Sequence, residues 1–315
     1  MGHNILGFHH VTLNVGSAQE DFDFHTKLLG LKILKKTVLY DGDLPIYHLY
    51  YGNHIGNEGT VITTLPFGKA GLFGKKGAGQ VSAISLSVPE HSLNFWINRL
   101  ESFGVPALEY EKFGGRRVKF NHPCGIGYEF VGVTRVGGQS YSNGVVPAEC
   151  EIIDIDGITI DTHDVDNFGD FLSNCWEGAA VGKDGSHYRY KFGDGEQFRF
   201  VDFEKTNANP GSWTFGQGTV HHCAFAVNTM QTQNEIKSRL VGYGFVDVSE
   251  VKDRGYFDSI YVRTPSGVLF EIAVSKAEGF LIDEPYEKLG TTLMIPSQFE
   301  SRRQDILSTL ESLTV

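Results

Sequence analysis

The 315-residue sequence is short of several things, and each shortage removes a class of protein. It has four cysteines, Cys124, Cys150, Cys175 and Cys223, with no CxxC and no close pair. That excludes a disulfide-stapled scaffold and a zinc ribbon, and it suits reduced thiols in a cytoplasmic protein. No apolar run approaches the ~20 residues that span a bilayer, so no membrane segment is expected. The first residues lack the charged, apolar and small-residue order of a signal peptide, and Leu6 stands where a myristoylation signal takes Ser or Thr. Basic residues are outnumbered, 27 Lys and Arg against 38 Asp and Glu, and the net charge of −11 excludes a general binder of nucleic-acid phosphates. What abounds is glycine, 38 residues, the mark of a chain with many tight turns. The chain is too long for one small core and suits two domains; a homo-oligomer is compatible with its composition.

Two stretches stand out. Val220-His221-His222-Cys223-Ala224-Phe225-Ala226-Val227 is an apolar, strand-like run that begins with adjacent histidines. Phe8-His9-His10-Val11-Thr12-Leu13-Asn14-Val15 matches it in length and in the place of the double histidine. Imidazoles in an apolar strand need their nitrogens satisfied. One such strand reads as a hydrogen-bonded core histidine, whereas two matching copies point to ligands.

The surrounding chain repeats in the order strand, helix, three strands. In the first unit Ser17-Ala18-Gln19-Glu20 fits a capping box, and the helix it opens stops at Gly30. Strands follow at 31–39, 46–51 and 59–64. The second unit has a strand at 81–88, a helix at 92–103 and strands near 107, 117–121 and 127–133. A polar, glycine-bearing linker spans 137–144. The third unit starts near 152–162, carries Phe168, Phe171, Leu172, Cys175 and Trp176 on one helix face, and has strands near 188–192 and 198–203. The fourth has a helix at 229–241 and strands at 245–248, 256–263 and 268–274, and a tail helix is expected at 296–313. The expected class is α+β: four βαβββ modules at 1–75, 76–140, 150–206 and 216–276, with a tail at 277–315. One module offers a single curved sheet with two faces to cover, so modules should pair into two domains.

Aligning the first strands places His10, Ala83, Gly157 and His222 at one equivalent position. The last strands align by Pro123-Cys124-Gly125-Ile126-Gly127-Tyr128-Glu129 against Pro265-Ser266-Gly267-Val268-Leu269-Phe270-Glu271, with Thr63 and Asp202 at that place in the other modules. Only one metal site can be assembled, His10, His222 and Glu271, and it requires modules one and four to share a domain, leaving two and three to pair. Glu129, without its histidine, reads as a structural relic. Two imidazoles and one carboxylate form the facial triad associated with non-haem iron(II), although zinc, manganese or nickel take similar ligands. A three-residue loop at Pro265-Ser266-Gly267 would put Tyr261 directly across from Glu271, with Arg254 opening the same hairpin. Alternation along a strand turns His9 and His221 away from the side of His10 and His222, unless the strands bulge, while Thr12 shares the side of His10. His48 reads as a hydrogen-bonded sheet residue.

These residues resemble the vicinal oxygen chelate superfamily, and within it the hydroquinone and chlorohydroquinone ring-cleaving dioxygenases. The resemblance runs over nearly the whole chain. It lies in Leu31-Lys32-Ile33-Leu34-Lys35-Lys36-Thr37, Tyr40-Asp41-Gly42, Pro45-Ile46-Tyr47-His48-Leu49-Tyr50, Gly211-Ser212-Trp213-Thr214, the second histidine strand, and Arg254-Gly255-Tyr256-Phe257 through Tyr261-Val262-Arg263-Thr264-Pro265. It implies iron(II) held by His10, His222 and Glu271, with His9, Thr12, His221, Arg254 and Tyr261 around the metal. It also implies a hydroquinone-class aromatic substrate, opened with O2 beside one hydroxyl-bearing carbon. A catechol extradiol dioxygenase and a glyoxalase-type isomerase are rivals on the same scaffold. The isomerase normally needs four protein ligands and three are present, and a two-domain catechol enzyme would draw its triad from one half of the chain. A non-catalytic binding protein would have no need of the triad.

Overall fold

A computed structural model describes residues 4–39, 44–135, 141, 144–193, 198–212 and 216–315. Tyr40-Asp41-Gly42, Trp213-Thr214 and most of the 137–144 linker lie outside them. The first module is β1 (Gly7–Val15), α1 (Ala18–Asp23), β2 (Lys32–Leu39), β3 (Ile46–Gly52) and β4 (Val61–Pro66). The second is β5 (Gln80–Pro89), α2 (Leu93–Ser102), β6 (Leu108–Lys112), β7 (Gly115–Asn121) and β8 (Gly127–Val133). The third is β9 (Asp154–Thr162), α3 (Val165–Asn174), β10 (Ala179–Asp184), β11 (His187–Phe192) and β12 (Arg199–Lys205). The fourth is β13 (Thr219–Ala226), α4 (Met230–Gly242), β14 (Lys252–Asp253), β15 (Phe257–Arg263) and β16 (Leu269–Ser275), and α5 (Arg303–Thr309) lies in the tail.

Strands of the first and fourth modules form one eight-stranded sheet, ordered β14-β15-β16-β13-β1-β4-β3-β2. Those of the second and third form the other, β10-β11-β12-β9-β5-β8-β7-β6. In each, two first strands run antiparallel at the centre and each is flanked by its module's last strand in parallel. Both faces of β1 are buried: Val11, Leu13 and Val15 join the main core, and His10, Thr12 and Asn14 face the opposite side. The modules interlock through their helices. Phe24, just past α1, packs against Phe120 and Tyr128 of the other sheet, while Phe168, Phe171 and Trp176 pack against Phe270 of the first. The apolar faces thus meet between the sheets, and each curled inner face is free to hold polar groups.

Several elements differ from expectation. Ser17 accepts hydrogen bonds from the amides of Gln19 and Glu20, and α1 passes into a π-turn at Phe24–Leu28 before Gly30, which takes φ +72°. Residues 245–248 form no strand: the edge of β15 is met there by single groups, the amide of Ser249 on the Tyr261 carbonyl and the Asp247 carboxylate on the Arg263 amide. The module's outer strand is the two-residue β14 instead. The tail helix is shorter than 296–313, a 3-10 turn at Ser297–Arg302 followed by α5, with Ile306 docked beside Val38 and Ile295. Strand β10 had no counterpart in the sequence reading; five of its six residues are exposed, so it lacks a burial pattern to detect.

Candidate metal centre

The three aligned residues converge on the inner face of the first sheet, all buried. His222 Nε2 lies 3.1 Å from His10 Nε2 and 2.9 Å from Glu271 Oε2, and His10 Nε2 lies 3.7 Å from that oxygen. Glu271 Oε1 accepts a hydrogen bond from Ser259, whereas Oε2 lies out of line for any donor and is left unpaired in the interior. An orphaned buried carboxylate oxygen is costly unless a cation meets it. Ligands at right angles on bonds of about 2.0–2.2 Å stand about 3 Å apart, close to this spacing. Burial pushes the pKa of His222 down to about 3, and His10 well below its usual value despite the opposing attraction of Glu271. Both imidazoles are therefore neutral and hold lone pairs for a metal. The donor set fits a divalent cation with open positions.

Alternation alone misplaces His9 and His221. The pairing of β1 with β13 runs His10 to Ala224 and Thr12 to His222, but slips between Phe8 and His10 and between Thr12 and Leu13. His9 and His221 are the extra residues of two bulges, and each is turned back beside its neighbour. His9 Nδ1 sits 2.8 Å from His10 Nδ1, and His221 Nδ1 sits 2.6 Å from His222 Nδ1. Both imidazoles are desolvated, which lowers His9 to about 4 and His221 to about 3.

Tyr261 pairs directly with Glu271 across β15 and β16, and its hydroxyl accepts from Arg254 Nε at 3.0 Å. Burial and the Glu271 charge raise the Tyr261 pKa, so the phenol keeps its proton. On the opposite wall, Thr12 Oγ1 is 2.9 Å from His222 Nε2 and 2.8 Å from Thr63 Oγ1. Thr63 is 3.1 Å from His48 Nε2, and His48 Nδ1 is 3.2 Å from the Tyr50 hydroxyl. His48 is the hydrogen-bonded sheet residue its setting suggested, and it also belongs to the site wall. Tyr50, Thr63, Ser259 and Phe257 (whose ring lies 5.0 Å from that of His10) were missed. The usable signal was register: Tyr50 pairs with Thr63, which stands at the position of Glu271.

No family model matches the chain. Its sequence is 40% identical over 310 residues to a chlorohydroquinone/hydroquinone 1,2-dioxygenase of Sphingobium indicum, covering 97% of this chain and 96% of that one. It is 37% identical to a Bacillus subtilis protein named for ring-cleaving dioxygenase activity, MhqO, covering 97% and 96%. The chain belongs to the ring-cleaving dioxygenases. A crystal structure named as a Bacillus subtilis dioxygenase superposes with a TM-score of 0.92 at 36% identity, covering 99% of each chain. Glyoxalase I from Zea mays, at 11% identity and a TM-score of 0.63 over 85% of this chain and 92% of that one, shares the fold.

The second sheet of this dioxygenase has the same frame without the ligands. Its central pairing carries matching bulges at Ser82 and Asp156. At the ligand positions stand Ala83 and Gly157, and a β-carbon on Gly157 would lie 2.6 Å from the Phe200 carbonyl oxygen. Glu129 is gripped by Arg117, Ser85 and Tyr110, with Lys112 at 3.4 Å, and Lys112 and Arg189 pair with Asp202 at 3.0 and 2.7 Å. Arg117 occupies the place that Ser259 holds beside Glu271. Basic side chains occupy the inner face where the first sheet leaves an unpaired oxygen.

A second buried His/carboxylate group, Asp21, His25 and His122, joins the first module to the second. Asp21 accepts from the hydroxyls of Tyr51 and Thr64 at 2.8 and 2.6 Å, and its other oxygen lies 3.1 Å from His25 Nδ1 and 3.3 Å from His122 Nε2. The Cys124 amide donates to His122 Nδ1 at 3.1 Å, so the ring proton sits on Nε2, facing the carboxylate. The ring nitrogens are engaged, His122 Nδ1 by the Cys124 amide and His25 Nε2 by the Tyr128 hydroxyl at 3.1 Å. Although Asp21 Oδ1 has no hydrogen-bond partner, the imidazoles offer it no second and third ligand, and the group reads as a structural knot. A cavity of about 540 Å³ lies at the seam of the modules, lined by Leu31, Pro89, Val133 and Ile152 among others and by none of the triad.

Proposed function

We propose that this enzyme opens hydroquinone-type para-diols with molecular oxygen at an iron(II) centre held by His10, His222 and Glu271. Both oxygen atoms enter the product, and the ring opens beside one hydroxyl-bearing carbon. The observation that carries the reading is the unpaired Glu271 Oε2 facing two neutral imidazole nitrogens, with Tyr261 and Arg254 alongside. Iron(II) held there supplies a Lewis acid for a phenol oxygen and a path for electrons between ring and dioxygen.

The protein's own groups do the rest. A para-diol presents one oxygen to the metal, because its second hydroxyl lies across the ring. Tyr261, kept protonated, donates a hydrogen bond to an oxygen that gains negative charge. Arg254 holds the Tyr261 oxygen and adds fixed positive charge beside it. The Thr12 hydroxyl borders the same space, and His221, the candidate acid/base group, is held neutral by burial, so any proton it takes has to be passed on rather than kept. Phe257 and Tyr50 wall the site with rings that exclude water. The four unpaired cysteines suit a cytoplasmic enzyme, and no helix among the described residues is long and apolar enough to cross a membrane. Domains at 1–75 with 216–276, and 76–140 with 150–206, follow the two sheets.

The test is anaerobic reconstitution with iron(II), followed by oxygen uptake with a panel of hydroquinones and catechols. Hydroquinones should give the higher kcat/KM. Preference for catechols, or no uptake with either, overturns the proposal.

A further inference from the structure

A chain of hydrogen bonds runs from the surface to His10. Glu58 is exposed and lies in the loop between β3 and β4, which is held in place where the Gly59 amide donates to the His9 carbonyl at 3.0 Å. The Ser275 hydroxyl, at the end of β16, donates to Glu58 Oε1 at 2.5 Å. Ser275 Oγ is 3.0 Å from His9 Nε2, and His9 Nδ1 is 2.8 Å from His10 Nδ1. Phe257 lies against both imidazoles, with ring centroids 4.8 and 5.0 Å away, and limits their rotation.

Proton positions along this chain follow from what each group is able to do. An ionised carboxylate only accepts, so the single hydroxyl proton of Ser275 points at Glu58. Ser275 must then accept from His9, which places the His9 proton on Nε2. A neutral imidazole has one N–H, so His9 Nδ1 is an acceptor, and the proton between the two rings belongs to His10 Nδ1. The lone pair of His10 is thereby left on Nε2, the atom that faces His222 and Glu271. Each link allows one direction.

We propose that Ser275 and Glu58 are positioning residues for the metal centre, which act through His9 to fix His10 in the tautomer that presents Nε2 to a metal. Groups behind a ligating histidine set its ring orientation and basicity, and their loss commonly costs about 10–100-fold in metal affinity. In Ser275→Ala, His9 Nε2 loses its acceptor and His9 is free to move its proton to Nδ1. It would then donate to His10, and the His10 proton would move to Nε2, where an incoming metal has to displace it.

The inference rests on the triad being a metal site but not on the substrate. Two measurements on the full-length protein test it. In the metal-free protein, nitrogen-15 NMR of the imidazoles should show His10 protonated at Nδ1 and His9 at Nε2, and Ser275→Ala should reverse both. Competition with a chromophoric chelator for cobalt(II) should show affinity about 10–100-fold lower in Ser275→Ala, restored by Ser275→Thr, and a smaller loss in Glu58→Ala. Wild-type His10 protonated at Nε2, or unchanged affinity in Ser275→Ala, overturns the proposal; unchanged affinity in Glu58→Ala removes Glu58 from it. A protein that behaves as expected here but consumes no oxygen with hydroquinones refutes the proposed reaction and leaves this inference standing. If wild-type protein bound no cobalt, the triad reading would fall, and the tautomers would still be decided by NMR.

Discussion

Glu129 and Glu271 hold the same place in the two sheets, and substituting each by glutamine should have opposite consequences. Glu129 is buried and receives Arg117, Lys112, Ser85 and Tyr110. Its immediate network holds three cations, Arg117, Lys112 and Arg189, against two carboxylates, Glu129 and Asp202. Glu129→Gln leaves three buried cations with one carboxylate among these groups. Removing one partner from a buried ion pair costs about 3–5 kcal/mol, which lowers a urea midpoint by about 1–2 M. The proposed ligands lie in the other sheet, so metal content should be unchanged. Glu271 has a single donor, Ser259, and an unpaired oxygen, so in the metal-free protein Glu271→Gln should change stability by less than about 1 kcal/mol. It should, however, abolish metal retention. Urea denaturation of the metal-free proteins and metal analysis after reconstitution read both effects. Loss of metal from Glu129→Gln, or its retention by Glu271→Gln, would refute the assignment of one site to the first sheet.

Three further outcomes are expected. His222→Ala should lose metal and oxygen uptake together, and turnover at the wild-type rate in that variant would sink the site. Tyr261→Phe should keep its metal but lower kcat by about 10–1000-fold, measured as oxygen uptake at saturating hydroquinone; a full rate would remove Tyr261 from the chemistry. His48 is lowered to about 3 chiefly by burial, then by repulsion from His222, Arg254 and His221, while an unfolded histidine titrates near 6.5. Above that value neither state binds the proton. Below it the unfolded chain binds one that the folded protein refuses, so stability falls with pH, by about 1.4 kcal/mol per unit for this group. Denaturation of metal-free His48→Gln should show a slope shallower by about that amount between about pH 4.5 and 6, and no difference in slope above about pH 7.

The centre was legible because two constraints on the chain are strict. Repeated strands placed His10 and His222 at equivalent points, and a single site needed Glu271 beside them. Hairpin geometry was enough to set Tyr261 opposite Glu271, since a short turn fixes the register that follows it. The bulges were not legible. An extra residue leaves no compositional trace, and it reverses the side on which His9 and His221 lie. His48 and Tyr50 escaped notice as site residues for a related reason: they connect to His222 through Thr63 and Thr12, along neighbouring strands whose positions are distant in sequence. The fourth module's outer strand was misplaced to 245–248, where apolar residues promised a ladder. Val246 there is 97% exposed, so hydrophobicity did not report burial.

The candidate metal centre draws on both ends of the chain. His10 belongs to β1, the first strand, and Glu271 to β16, the last, so the ligands come together only when the outer modules meet around the inner pair. During synthesis, a ribosome that has made three modules has produced a polypeptide with one of the three proposed ligands. A truncated or stalled product therefore lacks the site proposed for the metal. If the triad holds the metal as proposed, metal capture becomes a readout of completed translation and docking.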